Sequence, residues 1–120
     1  MTYDNNNIFA KILRKEIPCK KVYENEYALA FHDINPQAKV HILVIPKGKY
    51  ISFADFSQNA SKDEIKGFFE AVGKIAEDQN LVEEGYRILA NHGINAGQEV
   101  PHFHFHIFGK QSLGPMISET

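Results

Sequence analysis

From residue 102 to residue 107 the chain alternates without a break: His102, Phe103, His104, Phe105, His106, Ile107. A period of two belongs to a β-strand, which sends successive side chains to opposite faces. The run predicts a strand over His102 to Phe108, ended by Gly109, with three imidazoles on one face and three large apolar groups on the other. The apolar face demands a core, and a second layer has to supply it. The imidazole face is open to a ligand. Imidazole ligates metals, titrates near neutral pH and attacks phosphorus. Six histidines occur in 120 residues and three of them fall between positions 102 and 106, so composition alone does not produce the cluster.

The rest of the chain supplies that second layer. Asn5, Asn6 and Asn7 offer N-caps for a short helix over Ile8 to Lys15, with Ile8, Phe9 and Ile12 on one face. Val22 to Glu24 and Ala28 to His32 predict two short strands joined at Asn25 and Glu26. Pro36 forces Asn35 out of helical conformation, which makes Asp33 to Pro36 a loop. Val40 to Ile45 is a β-branched run closed by Pro46 and reads as a buried central strand carrying His41. Ser61 and Glu64 have capping-box spacing, and Ile65, Phe68, Phe69, Val72, Ile75 and Ala76 then follow helical periodicity to about Gln79. Tyr86 to Ala90 is a further strand, and Asn91 to Val100, with Gly93 and Gly97, is a loop. The expected fold is a single α+β domain over 1–120. It has a mainly antiparallel five-stranded sheet, one long helix and one short N-terminal helix.

Composition narrows the partners. A formal net charge of -2 provides no basic face, which argues against nucleic acid. The single cysteine, Cys19, allows no intramolecular disulfide and fits a reducing compartment. No apolar stretch approaches a membrane span, and Met1 to Asn7 lacks the basic-then-apolar layout of a secretory leader. The expectation is a cytoplasmic protein without a membrane partner.

Two uses of the histidine face then compete. A strand His-x-His pair can give two ligands to zinc, with Glu99, Asp33 or His41 as further ligands. No Cys-x-x-Cys pair or His-Glu-x-x-His helix accompanies them, so zinc is the lesser alternative. For phosphorus chemistry, one neutral imidazole attacks while its other nitrogen holds a proton on a fixed acceptor, and flanking imidazoles donate to phosphoryl oxygens. The Gly93 to Gln98 loop before the strand can add backbone N–H groups as an anion nest.

The segment from Gly97 to Gly109, GQEVPHFHFHIFG, resembles the signature of the histidine triad superfamily. The segments Ile8 to Ile12, Glu16 to Pro18, Ala30 to Gln37 and His41 to Lys47 are similar to its nucleotide-binding branch, in the same order. The resemblance runs from about Ile8 to Gly109 and leaves a divergent tail, 110–120. It implies that His104 is the nucleophile, that His106 contacts phosphate and leaving group, that His102 orients His104 with its backbone carbonyl as the ring's partner, and that His41 supports the relay. It implies a purine nucleotide pocket formed by Ile8, Phe9, Ile12, Phe31, His32, Ile34 and Leu43, with Asp33 on the ribose. Asn91, Gly97, Gln98 and Glu99 would lie near the phosphate. Without the resemblance His41 would be a core histidine and Asp33 a turn cap. Glu99 stands where many eukaryotic members carry serine, and the tail lacks their tryptophan.

The implied function is a purine nucleotide-binding hydrolase resembling adenosine 5′-monophosphoramidases, which cleaves a P–N bond at the α-phosphorus and releases AMP or GMP. Dinucleoside polyphosphate hydrolysis and a nucleotide-binding regulatory module are the alternatives. The resemblance implies no required cofactor and a homodimer.

Overall fold

The computed structural model describes residues 2–117. Of the expected tail, 118–120 lie outside the described residues. In chain order the elements are α1 (Ile8–Leu13), β1 (Lys21–Glu24), β2 (Ala28–His32), β3 (Val40–Pro46), α2 (Phe53–Asn59), α3 (Lys62–Asp78), β4 (Tyr86–Leu89) and β5 (Phe105–Gly109). The strands form one sheet in the order β1-β2-β3-β5-β4, and every neighbouring pair is antiparallel. No described helix is long and apolar enough to cross a membrane.

The register sorts the side chains into two faces, because directly paired residues share a face. Ala30 pairs with Val44, and Val44 with Phe105. These residues, with Ile42, Phe103 and Ile107, pack against Phe56 of α2 and Phe68, Ala71, Val72 and Ile75 of α3. On the opposite face Leu29 pairs with Ile45 and Phe31 with Leu43, and α1 covers them with Phe9 and Ile12. Leu43 also pairs with His106, and His41 with Phe108. The face that α1 leaves uncovered is therefore the imidazole face.

Local chemistry fixes the helices. Asn7 caps α1 by accepting from the Ala10 N–H at 2.9 Å. Leu13 rather than Lys15 ends that helix, since Lys15 turns into the left-handed region at φ 64°. Ile8, expected on the buried face, is 42% exposed. At α3 the Ser61–Glu64 capping box forms, and Glu64 also accepts from the Tyr50 hydroxyl at 2.8 Å. Helix α2 was not expected. Ser52 caps it, but seven residues with one buried phenylalanine carry too little periodicity to announce a helix.

The last strand starts later than the alternation suggests. Continuing the β3–β5 register past Val44 and Phe105 would set Phe103 opposite Pro46, which has no N–H to donate. The Phe103 N–H goes instead to the Tyr50 carbonyl at 2.8 Å. His102 and His104 consequently stand in an irregular stretch just before the ladder, although Phe103, Phe105 and Ile107 still reach the core.

Candidate active site

A cleft of about 290 Å³ opens beside Phe9, in the first turn of α1, and the start of β5. Phe9, Asp33, Asn35, Gln37, His41, Leu43, Asn91, Gly97, Gln98, Glu99, Val100, His104 and His106 line it. β3 supplies His41 and Leu43, β5 supplies His106, and the irregular stretch supplies His104. The loop before β5 bends through a short 3₁₀ turn, Ile94–Ala96, between Gly93 and Gly97, both at positive φ.

Each imidazole has its protons placed by neighbours. His102 is fully buried, and its Nε2 lies 2.8 Å from the Pro46 carbonyl, which can only accept. His102 Nε2 therefore carries the proton, and Nδ1 accepts from the Tyr3 hydroxyl at 2.5 Å. His104 Nδ1 lies 2.7 Å from the His102 carbonyl, so Nδ1 holds the proton and Nε2 keeps a free lone pair. The Gln37 N–H donates to His41 Nδ1 at 3.1 Å, which leaves the proton on His41 Nε2. That Nε2 donates to His106 Nδ1 at 2.9 Å and lies 3.4 Å from Asp33 Oδ2. His106 Nε2 then bears a proton with no protein acceptor among the described residues.

Burial keeps this set neutral. It pushes His102 down to about 4, against the hydrogen bond to the Pro46 carbonyl that favours the charged form. It pushes His106 to about 4 as well, helped by His104 and His41 and opposed by Asp33. His41 and His104 are lowered by burial too, with Asp33 pulling the other way. Aromatic contacts fix the rings: Phe9 stands edge-on to His104 at 4.9 Å, and Phe108 stacks on His106 at 5.7 Å. Among the described residues no buried side-chain polar atom lacks a hydrogen bond.

Some expected site residues stand off the cleft wall. Ile12 and Phe31 are buried in the cluster beneath α1. His32 and Ile34 line a neighbouring hollow with Lys20, Pro36 and Lys39, which shares Asp33 and His41 with the cleft. Ile34 is 94% exposed. Asp33 lines the cleft and is also a turn cap, its Oδ1 accepting from the Asn35 N–H at 2.8 Å. Asn35, Gln37 and Val100 line the cleft without having been expected there. Gln37 acts on His41 through its backbone N–H, which leaves no trace in side-chain identity. Asp33, His41 and His106 bring three ligand-capable atoms within 4.8 Å of one another.

Comparison with known proteins gives consistent results. The family model described as the HIT domain matches residues 14–113. An uncharacterized 13.2 kDa HIT-like protein of Azospirillum brasilense is 62% identical, over 98% of this chain and 97% of its own. The purine nucleoside phosphoramidase of Escherichia coli K12 is 42% identical, over 92% of each chain. A histidine triad protein from Clostridium difficile superposes with a TM-score of 0.86 at 38% identity, over 97% of this chain and 100% of that one. A HIT family hydrolase from Legionella pneumophila superposes with a TM-score of 0.81 at 36% identity, over 91% and 96%.

Proposed function

This chain belongs to the HIT domain family, a family that includes hydrolases, and on that premise we propose that it cleaves purine nucleoside phosphoramidates. The bond broken would join the α-phosphorus to an amine nitrogen, and the products would be AMP or GMP and the free amine. The relative named as a purine nucleoside phosphoramidase supports this substrate class. The observation that carries the chemistry is the 2.7 Å contact between His104 Nδ1 and the His102 carbonyl, which commits the other ring nitrogen to a lone pair beside the cleft.

In the first step His104 Nε2 forms a bond to phosphorus as the P–N bond breaks. The bound phosphate's negative charge favours a proton on the His106–His41 pair, and Asp33 beside His41 supports that charge. The pair gives this proton to the departing nitrogen. Water then attacks phosphorus, returns a proton to the pair and releases His104 as neutral imidazole, so protons and charge balance over the cycle. Phosphate and ribose would fill the cleft. The adjoining hollow, with His32, Ile34 and Pro36, would receive the base.

The cleft lining contains two carboxylates, Asp33 and Glu99, and neither lysine nor arginine. Such a site suits a singly charged conjugate better than a polyphosphate, which would bring several negative charges to the same wall. This ranks the phosphoramidase above a dinucleoside polyphosphate hydrolase. A metal at Asp33, His41 and His106 is the second reading, favoured by the spacing of their ligand atoms. It would have to replace the proton shared by His41 and His106.

The decisive variant is His104→Ala. It is expected to abolish turnover of an adenosine phosphoramidate while AMP still binds. Intact-mass measurement of quenched wild type should reveal a nucleotidyl adduct that this variant lacks. Full activity of His104→Ala would end the proposal, and loss of wild-type activity on chelation, restored by zinc, would favour the metal.

A further inference from the structure

We propose that Tyr3 is a positioning residue for the reaction: its hydroxyl, donating to His102 Nδ1, seats the His102–His104 stretch, so that the His102 carbonyl holds the His104 ring for attack. The inference rests on His104 being the attacking group.

The need for such a clamp follows from where β5 begins. Residues 102–104 precede the ladder, so the strand hydrogen bonds that hold His106 do not hold His104. Three contacts replace them: Phe103 N–H to the Tyr50 carbonyl, His102 Nε2 to the Pro46 carbonyl, and Tyr3 Oη to His102 Nδ1. The first two tie the stretch to the body of the fold. The third completes the hydrogen bonding of a fully buried imidazole, which would otherwise be left with an unsatisfied acceptor. The Pro46 carbonyl sets the His102 tautomer, and the phenol holds the ring from its other nitrogen, so the His102 carbonyl remains where His104 Nδ1 donates.

Tyr3 is itself held in place. Asp4 Oδ1 accepts from the Asn6 N–H at 2.8 Å, and the Asp4 carbonyl accepts from Asn7 Nδ2 at 2.8 Å. Asn7 in turn caps α1, and Arg14 Nη1 donates to the Asn5 carbonyl at 2.8 Å. This knot delivers Tyr3 to His102, and the Tyr3 and Phe9 rings both stand edge-on to that imidazole. Burial raises the phenol's pKa, so Tyr3 is a donor at neutral pH.

The test compares wild type, Tyr3→Phe and His104→Ala on an adenosine phosphoramidate, with the His104 Nδ1–H signal read from ¹H–¹⁵N spectra. Tyr3→Phe keeps the ring and removes only the hydroxyl. It is expected to lower kcat roughly ten- to a hundredfold with KM unchanged. It should also weaken the hydrogen bond from His104 Nδ1–H to the His102 carbonyl, read as an upfield shift of that ring proton, while the melting temperature shows full folding at the assay temperature. An unchanged kcat, an unchanged His104 Nδ1–H signal, or an activity loss that merely tracks the folded fraction would overturn the role. Turnover by His104→Ala would instead defeat the reaction mechanism. The His104 ring-proton signal, compared between wild type and Tyr3→Phe, reports on the Tyr3 clamp in either case.

Discussion

His102 is a histidine held neutral in the folded protein down to acidic pH. Its ring is fully buried, its acceptor nitrogen is filled by Tyr3 and its donor nitrogen faces a carbonyl. Burial lowers its pKa to about 4 from the ordinary 6.5, and His106 behaves alike. The unfolded chain therefore binds more protons than the folded one between pH 6.5 and 4, and stability falls as the pH drops through that window. For His102 the full loss, reached once the pH is below about 4, is about 3 kcal/mol. Urea unfolding at pH 7, 5.5 and 4.5 should show a midpoint that declines steadily. A midpoint flat down to pH 4.5 would mean that the imidazoles are not desolvated.

Helix α3 approaches the sheet edge so closely at Gly67 that a Cβ there would strike the Tyr27 side chain. Asn25 reinforces the approach, its Nδ2 donating to the Gly67 carbonyl at 2.9 Å while its Oδ1 accepts from the N–H groups of Tyr27 and Ala28. Gly67→Ala is expected to cost about 1–3 kcal/mol in urea or thermal unfolding, with KM unaltered because the contact lies on the far side of the sheet from the cleft. Stability equal to wild type would show that Tyr27 swings aside freely. The elements differ in how much of this was legible beforehand. Helix α3 declared itself through the Ser61–Glu64 box and a long apolar stripe, and β3 through its β-branched run, because both patterns extend over many residues. The alternation at 102–107 gave the faces correctly and the ladder wrongly. Side-chain period reports which way residues point, whereas hydrogen bonding at 102–104 is decided by Pro46 and Tyr50, distant in sequence. His41 and Asp33 as cleft residues came from resemblance, since a lone histidine in an apolar strand and an aspartate before proline each have a structural use. Tyr3 was invisible, because nothing local ties residue 3 to residue 102.

The whole molecule is layered, with α2 and α3 on one face of the sheet and α1 on part of the other. Outside the cleft it exposes Phe53, Phe69, Val82, Tyr86 and Ile88, with Phe69 at 55%. Phe69 also borders an apolar hollow with Ile65 on the outer side of α3. These exposed apolar residues on α3 and β4 suit the homodimer that the resemblance implies. Sedimentation equilibrium should give the mass of two chains for wild type and of one for Phe69→Glu. A wild-type monomer at micromolar concentration would remove the dimer. The sheet's two unlike faces also have a consequence for tolerance to mutation. In a library of single substitutions scored once for cellular abundance and once for turnover, the two scores along 102–108 should move in antiphase. Damage at Phe103, Phe105 and Ile107 would appear as protein that never accumulates. Damage at His104 and His106 would appear as protein that accumulates and does nothing. The beat has one missed step, His102, a histidine sunk as deep as its aromatic neighbours, where a single change should fail on both scores.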